Sequence, residues 1–588
     1  MAGAPRHAPE APRSARSPEG VPDSRGLNLF EADPSYRGLL ELHLEPELCA
    51  HLLPHFTQLG AMAGADLDEM ALAADKNPPV LNGQKIEKSP AYRKLEEVAF
   101  GQYGLAAMSH RGGVLGWPEP MPPAAKYALT YLYVQAEFGV CCPLSMTDAL
   151  TRTVRKFGDP ALVARYLPGL TSQDMETLTQ GAMFMTEQQA GSDVGLVKTV
   201  ARKENGDWRL YGNKWFCSNA DAGLALVLAR PESAPRGTRG LSLFLLPRIL
   251  PDGSANRYRI LRLKDKLGTR AMPSGEISLE GALAWLVGDQ QQAFKQMADM
   301  INMSRLSIGM RAAGMMRRAL TEAWFVAHRR EAFGKPLFEL PLMRRQLLKL
   351  MLPTEAARSV LFFTSRELEK ADAGDEAARR RVRLLTPLIK FRACRDARKV
   401  TGDAMEVRGG VGYTEEWSDP RLVHDAHLGS IWEGTSNIVA LDVLRAIRRE
   451  HCLEVLLPEL NRRIQRAPRL LAERLAASLG KAADFAHEAA KSNSEADARQ
   501  AATGLYYACA AALLADEGTR LGQRVNALQR DGDARRQLIA FLVYVHRLAP
   551  RDPLHRVSTA FEAELAAALL PETPIAPDAA ERILTRLA

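Results

Sequence analysis

The sequence predicts an α+β chain in which an N-terminal α-helical domain, a middle β-barrel or sheet domain and a C-terminal helical bundle follow one another, with an extra helical extension at the end. Two changes of texture carry this reading. Over 31–180, apolar side chains recur at three- and four-residue spacing, with joints at Pro54, Pro78, Pro79, Gly112 and Gly113. Over 181–288 this gives way to short runs, GAMFMT, WRLYGNKWFC, LALVLA, LSLFLLP and GEISLEGA, separated by turn clusters such as Asn205-Gly206-Asp207. Helical periodicity then returns over 289–449, and 450–588 is a helical, Ala/Leu/Arg-rich extension. A composition of 46% hydrophobic and 25% charged residues excludes a mostly disordered or fibrous chain.

Taken in order, residues 1–30 carry arginines and prolines but no apolar core of the kind a secretory signal needs, and read as a disordered tail. The longest uncharged apolar stretch, AATGLYYACAAALLA at 501–515, falls short of the ~18–20 residues of a membrane span and reads as a buried helix. Seven cysteines without a CxxC pattern fit a reducing cytoplasm and no metal centre. The net charge is +8, and 305–399 alone holds 22 Lys+Arg against 10 Asp+Glu, which permits an acidic partner without naming one.

Five segments stand out as chemistry. GAMFMTEQQAGSDVGLVKTV at 181–200 ends a strand in Thr186 and enters a Gly/Ser/Asp turn that lets a ligand approach the backbone. YGNKWFCSNA at 211–220 presents Trp215, Phe216 and Ser218 in close succession. REAFGKPL at 330–337 lacks the phosphate-loop spacing, and EVRGGVGYTEE at 406–416 lacks that of a Rossmann turn. In SIWEGTSNIVALDVLRAI at 430–447, Thr435 or Ser436 caps a helix and Glu433 stands just outside its N-terminus. Alone, the first is an ordinary turn, the second is core, and Glu433 is a surface carboxylate at a helix dipole.

Together, in this order on this α–β–α layout, the segments resemble an acyl-CoA dehydrogenase over about 60–449. MTEQQAGSD and IWEGTSNI are similar to family signatures, and KLGTRAMPSGEISLEGA at 266–282 resembles the following strands of the same β domain. KNPPVLNGQKIEKSPAYRKL at 76–95, RLKDKLGTR at 262–270 and PLMRR at 341–345 are similar to the AidB-like, adaptive-response branch linked to DNA alkylation damage, as is the extension.

The resemblance implies a flavoprotein oxidoreductase of fatty acid metabolism that binds FAD. By it, Met183, Met185 and Thr186 contact the flavin, with Phe216 and Ser218 on the facing strand and Ser192 bordering the flavin and acyl-CoA phosphates. Arg330 and Phe333 match pyrophosphate and adenine contacts, usually made across a subunit interface, and Gly409 and Gly410 let the backbone approach the adenosine. Thr435 and Asn437 join the cofactor set, and Arg305 matches an arginine near the substrate. Glu433 matches the base that removes the α-proton of an acyl-CoA while a hydride passes to flavin N5. Pro341 and Glu406 depart from the common pattern of glutamines. A homotetramer and an electron-transfer flavoprotein as acceptor are implied as partners. The alternative is an alkylation-response flavoprotein that binds or protects nucleic acid with little acyl-CoA turnover. For 450–588, packing over the core is expected ahead of DNA binding, because the cluster Arg462, Arg463, Arg466 and Arg469 reads as a solvated face.

Overall fold

The computed structural model describes residues 21–524, 532–549 and 560–587. Residues 1–20 of the expected tail lie outside these; residues 21–30 overturn the tail reading. Gly26 N–H donates to Gly64 O at 2.7 Å and Leu29 N–H to Gly60 O at 3.0 Å. Gly60 and Gly64 lie on one helix face, and a Cβ at either would fall within 3 Å of the arm, so only glycine admits it there. Leu27, Leu29 and Phe30 are buried and Ser24 Oγ donates to Glu322 at 2.5 Å. Three apolar anchors outweigh the Pro/Gly/polar composition that suggests disorder.

The helical first part comprises α1 Pro34–His43, α2 Pro46–Gly64, α3 Asp66–Lys76, a small hairpin of β1 Val80–Asn82 and β2 Lys85–Glu87, then α4 Pro90–Glu96, α5 Pro123–Tyr133, α6 Cys141–Phe157 and α7 Pro160–Leu170. Prolines occupy the first turn of most of these helices, where their missing N–H costs nothing. In α4 the preceding Ser89 accepts from Tyr92 N–H.

The β domain holds β3 Gly181–Phe184, β4 Val200–Glu204, β5 Asp207–Ser218, β6 Leu224–Pro231, β7 Ser242–Pro247, β8 Tyr258–Leu263 and β9 Ser274–Leu286. The ladder closes on itself: β6 pairs with β7, β7 with β9, β9 with β5, β5 with β4 and β4 with β6, with β3 beside β6 and β8 beside β9. Period-two alternation explains the apolar run Leu224–Ala229 of β6. Ala225, Val227 and Ala229 fill the barrel with Phe244 and Leu246, while Leu224, Leu226 and Leu228 face the helices.

The second helical part consists of α8 Ala293–Arg329, a short hairpin β10 Glu331–Ala332 and β11 Lys335–Pro336, α9 Pro341–Asp372, α10 Glu376–Arg408, α11 Ser418–Gly429 and α12 Ser436–Glu450. The extension adds α13 Leu453–Ile464, α14 Arg469–Lys491, α15 Ala498–Gly522, α16 Arg535–Val543, α17 Ala560–Leu569 and α18 Pro577–Leu587. Its apolar face joins the main core, which runs without interruption from Leu29 to Leu584. The buried stretch expected at 501–515 lies within α15, with Tyr507 OH donating to Asp396 of α10 at 2.7 Å. All seven cysteines are free and buried. No described helix is long and apolar enough to cross a membrane.

Candidate functional site

Between α11 and α12 the chain makes a strained turn. Glu433 has φ +52° and Gly434 φ +103°, and a left-handed backbone at a residue with a side chain persists only where its surroundings hold it. Three helices do so. Arg305 of α8 donates from Nε to Glu433 O at 3.1 Å, Lys390 of α10 donates to Gly434 O, and Asp442 of α12 pairs with Arg305 at 2.6 Å and with Arg383 at 2.8 Å. The consequence is that Glu433 points inward: its Oε2 is shut off from water and has no hydrogen-bond partner among the described residues. Burial raises the carboxyl pKa; Arg305, Ser304, Lys390 and Arg311 oppose that rise. Burial also brings the Lys390 amine down to about 8.

The turn is packed against the first helical part. Trp432 stacks on Phe138 with ring centroids 6.3 Å apart, and the Arg311 guanidinium lies 5.1 Å from the Phe138 ring and 5.6 Å from the Trp432 ring. Cys142, at the head of α6, links this corner to the barrel. Burial raises its thiol pKa against the pull of Arg311; Glu433 adds to the rise, and Ser218 lowers it through a hydrogen bond. Glu433 and Ser218 thus both act on Cys142.

On the barrel, Trp215 N–H donates to Thr186 O at 2.8 Å, which ties the segment after β3 to β5. A buried pair fixes the same junction. Lys214 Nζ sits 2.9 Å from Glu187, and Glu187 also accepts from Lys198 N–H and Thr199 N–H. Two residues later β5 bulges, the register slipping between Lys214 and Cys217. The bulge turns Phe216 outward, 55% exposed, and Lys264 Nζ stands over Trp215 at 3.4 Å. Met183 is buried, Met185 and Thr186 are half-buried, and Ser192 is exposed on the following loop.

Arg330, Phe333, Gly409 and Gly410 form a second group at the far end of α8 and α10. Arg330 donates to Arg408 O, and a Cβ on Gly409, whose φ is +74°, would sit 3.3 Å from that guanidinium. Phe333 is 92% exposed at the tip of the β10–β11 hairpin. Thr435 and Asn437 are exposed at the start of α12; Thr435 occupies the capping position but its side chain makes no capping hydrogen bond.

Arg305 is 8% exposed, and its guanidinium is engaged with Asp442 and the Glu433 carbonyl, so it holds the turn that carries Glu433. Arg311, Lys390 and Cys142 escaped the sequence reading. Their only signal was a charged or thiol residue inside an apolar helix run, as in SIGMRAAGMM.

A cleft of about 310 Å³ between Arg25, α3 and the head of α11 contains none of the residues above.

Three family models match the chain: the adaptive response protein AidB N-terminal domain over 20–177, the acyl-CoA dehydrogenase middle domain over 182–282 and the acyl-CoA dehydrogenase C-terminal domain over 292–448. The AidB protein of Escherichia coli (strain K12) is 36% identical over 418 residues, spanning 68% of this chain and 74% of that protein. Acyl-CoA dehydrogenase family member 11 of Caenorhabditis elegans is 30% identical over 437 residues, spanning 71% and 70%. The crystal structure of Caenorhabditis elegans ACDH-11 in complex with C11-CoA superposes with a TM-score of 0.82 at 25% identity, covering 95% of this chain and 98% of that one.

Proposed function

Because the chain belongs to the acyl-CoA dehydrogenase family and carries that family's adaptive-response type of N-terminal domain, we propose that it is an FAD-dependent acyl-CoA dehydrogenase that oxidises a coenzyme A thioester across Cα and Cβ. The observation that carries this reading is Glu433: a carboxylate oxygen buried without a partner, on a turn clamped by three helices.

The residues present fit FAD. Phe216 offers an exposed aromatic face beside Thr186, and Gly409 and Gly410 leave the backbone bare next to the Arg330 guanidinium, whose geometry suits phosphate. Met183, Met185, Thr186, Phe216 and Ser218 would hold the ring system; Arg330, Phe333, Gly409 and Gly410 the pyrophosphate and adenosine; Thr435, Asn437 and Ser192 would border them. When bound, FAD supplies a two-electron acceptor that side chains lack. Glu433 takes the α-proton at Oε2. Its raised pKa makes it a stronger base than an exposed carboxylate, and the clamp of Arg305 and Lys390 keeps it aimed. An electron-transfer flavoprotein would be the acceptor and a homotetramer the assembly, as the family resemblance implies. We place the protein in the cytoplasm.

The test is an anaerobic titration of the yellow protein with acyl-CoAs of several chain lengths, following the flavin absorbance. At least one chain class bleaches it, and Glu433→Gln slows the bleaching by about 10²–10⁴-fold, the usual worth of a general base. Bleaching by none, with flavin bound, overturns the reading.

The match of residues 20–177 to the AidB N-terminal domain keeps a second reading in play, an alkylation-response role through nucleic acid. Part of the basic charge is spent within the protein. Arg311, Arg317, Arg318 and Arg358 are buried, and Arg462, Arg463, Arg466 and Arg469 are paired with Glu459, Asp516 and Glu473. Tight binding to duplex DNA with a steep salt dependence, in a protein no acyl-CoA bleaches, would favour it.

A further inference from the structure

Arg311 is the most unusual charge in the molecule. It is 0% exposed, and none of its three guanidinium nitrogens has a hydrogen-bond partner among the described residues. Other fully buried arginines, Arg317, Arg318, Arg358, Arg408 and Arg536, are each matched to carboxylates. Phe138 and Trp432 cover the face of Arg311. A ring can satisfy the face of a guanidinium but not its in-plane N–H groups, which are five donors suited to a planar acceptor. A buried cation without an anion is costly unless something arrives to pair with it.

The location says what arrives. Trp432 adjoins Glu433, and the charge of Arg311 reaches both Glu433 and Cys142. The acyl end is the part of the thioester that lies beside Glu433 when its α-proton is removed, and so the part that comes within reach of Arg311, 5.6 Å from the neighbouring Trp432 ring. Resting on the dehydrogenase reading above, we propose that Arg311 is a specificity residue that receives a carboxylate at the far end of the acyl group, so that the substrate class is the mono-coenzyme A thioester of a dicarboxylic acid. The bidentate geometry of guanidinium and carboxylate favours this over a neutral chain end.

The experiment uses the flavin-loaded protein carrying Glu433→Gln, in which turnover is slow on the time scale of binding, and measures affinity by calorimetry for succinyl-, glutaryl- and adipyl-CoA against butyryl-, hexanoyl- and octanoyl-CoA. At least one ω-carboxylated thioester binds about tenfold or more tighter than the neutral thioester of similar length. Adding Arg311→Met, which keeps the packing against Phe138 and Trp432, abolishes that preference and leaves neutral thioesters bound as well or better, while Arg311→Lys retains part of it. A preference for neutral thioesters, or a selectivity that Arg311→Met does not move, overturns the inference and leaves the dehydrogenase reading standing. Failure of both classes to bind sinks both.

Discussion

Glu433 and Gly434 show how a single turn decides where a side chain points. Two consecutive positive φ values throw the carboxylate inward, and only the second falls on a residue without Cβ. A Cβ on Gly434 would meet Ile438 and Val439 at 3.3 Å as well as straining the backbone. Gly434→Ala is therefore expected to lower stability by at least about 1 kcal/mol in urea unfolding and to slow flavin bleaching. Bleaching at the unaltered rate would show that the turn does not aim the base. At this scale the sequence was half legible. Glu433 stood out through its neighbours in IWEGTSNI, whereas Arg311 and Lys390 sit among residues that read as ordinary helix. Nothing local distinguishes a solvated arginine from a buried one, because Phe138, between α5 and α6, and Trp432 of the α11–α12 turn, both far away in the chain, cover Arg311. Arg305 was noticed, but its pairing with Asp442 was not readable for the same reason, since Asp442 lies 137 residues away.

Between elements, the seam of barrel and bundle rests on Asp425 of α11, which accepts from Thr269 N–H at 2.7 Å in the connection between β8 and β9. Burial raises its pKa to about 7, with Arg421 pulling the other way. A carboxyl whose folded pKa exceeds its unfolded value of about 3.9 stabilises fully below that value and loses the contribution as pH rises through 7. Asp425→Asn mimics the protonated form. It is expected to stabilise the protein by a few kcal/mol at pH 8, with the gain fading toward pH 4, as read by denaturant midpoints across that range. An equal effect at both ends would show that ionisation of Asp425 is not the cause. Helices were readable from period and the barrel strands from short apolar runs between turns, while the β1–β2 hairpin lies inside the stretch that reads as helical. The barrel's closure was not, because it depends on the pairing of β4 with β6 at only two positions, Val200 with Arg230 and Ala201 with Pro231.

Across the whole molecule, a buried set of charges ties the N-terminal arm, the bundle and the extension together. Arg358 of α9 pairs with Asp33 and Glu355; Arg536 of α16 bonds Glu355 at 2.6 Å and Glu517 at 2.8 Å; Glu517 of α15 also meets His43 of α1 at 3.2 Å. Despite burial, the arginines hold Glu355 and Glu517 at about 2. Depressed carboxylates contribute stability above their unfolded pKa of about 4.3 and lose it as pH falls toward 2. His43, lowered by burial, adds a loss that begins below about 6.5, where the unfolded chain takes up its proton. Removing one partner from such a set costs about 3–5 kcal/mol, so Arg536→Met should sharply lower the unfolding midpoint at pH 7 and flatten its fall between pH 4.5 and pH 3. An unchanged midpoint would mean that the extension is held by its apolar face alone. None of these pairings was legible in the sequence, where arginine-rich helices read as surface.

The seven buried thiols lend themselves to a different use. Cys49 sits in α2, Cys142 in α6, Cys217 in the barrel wall, Cys394 in α10 and Cys509 in α15, so each layer carries a silent sulfur of its own. The order in which a maleimide reaches them under mild denaturant is a chronicle of which layer parts first, written by the native chain without any introduced probe.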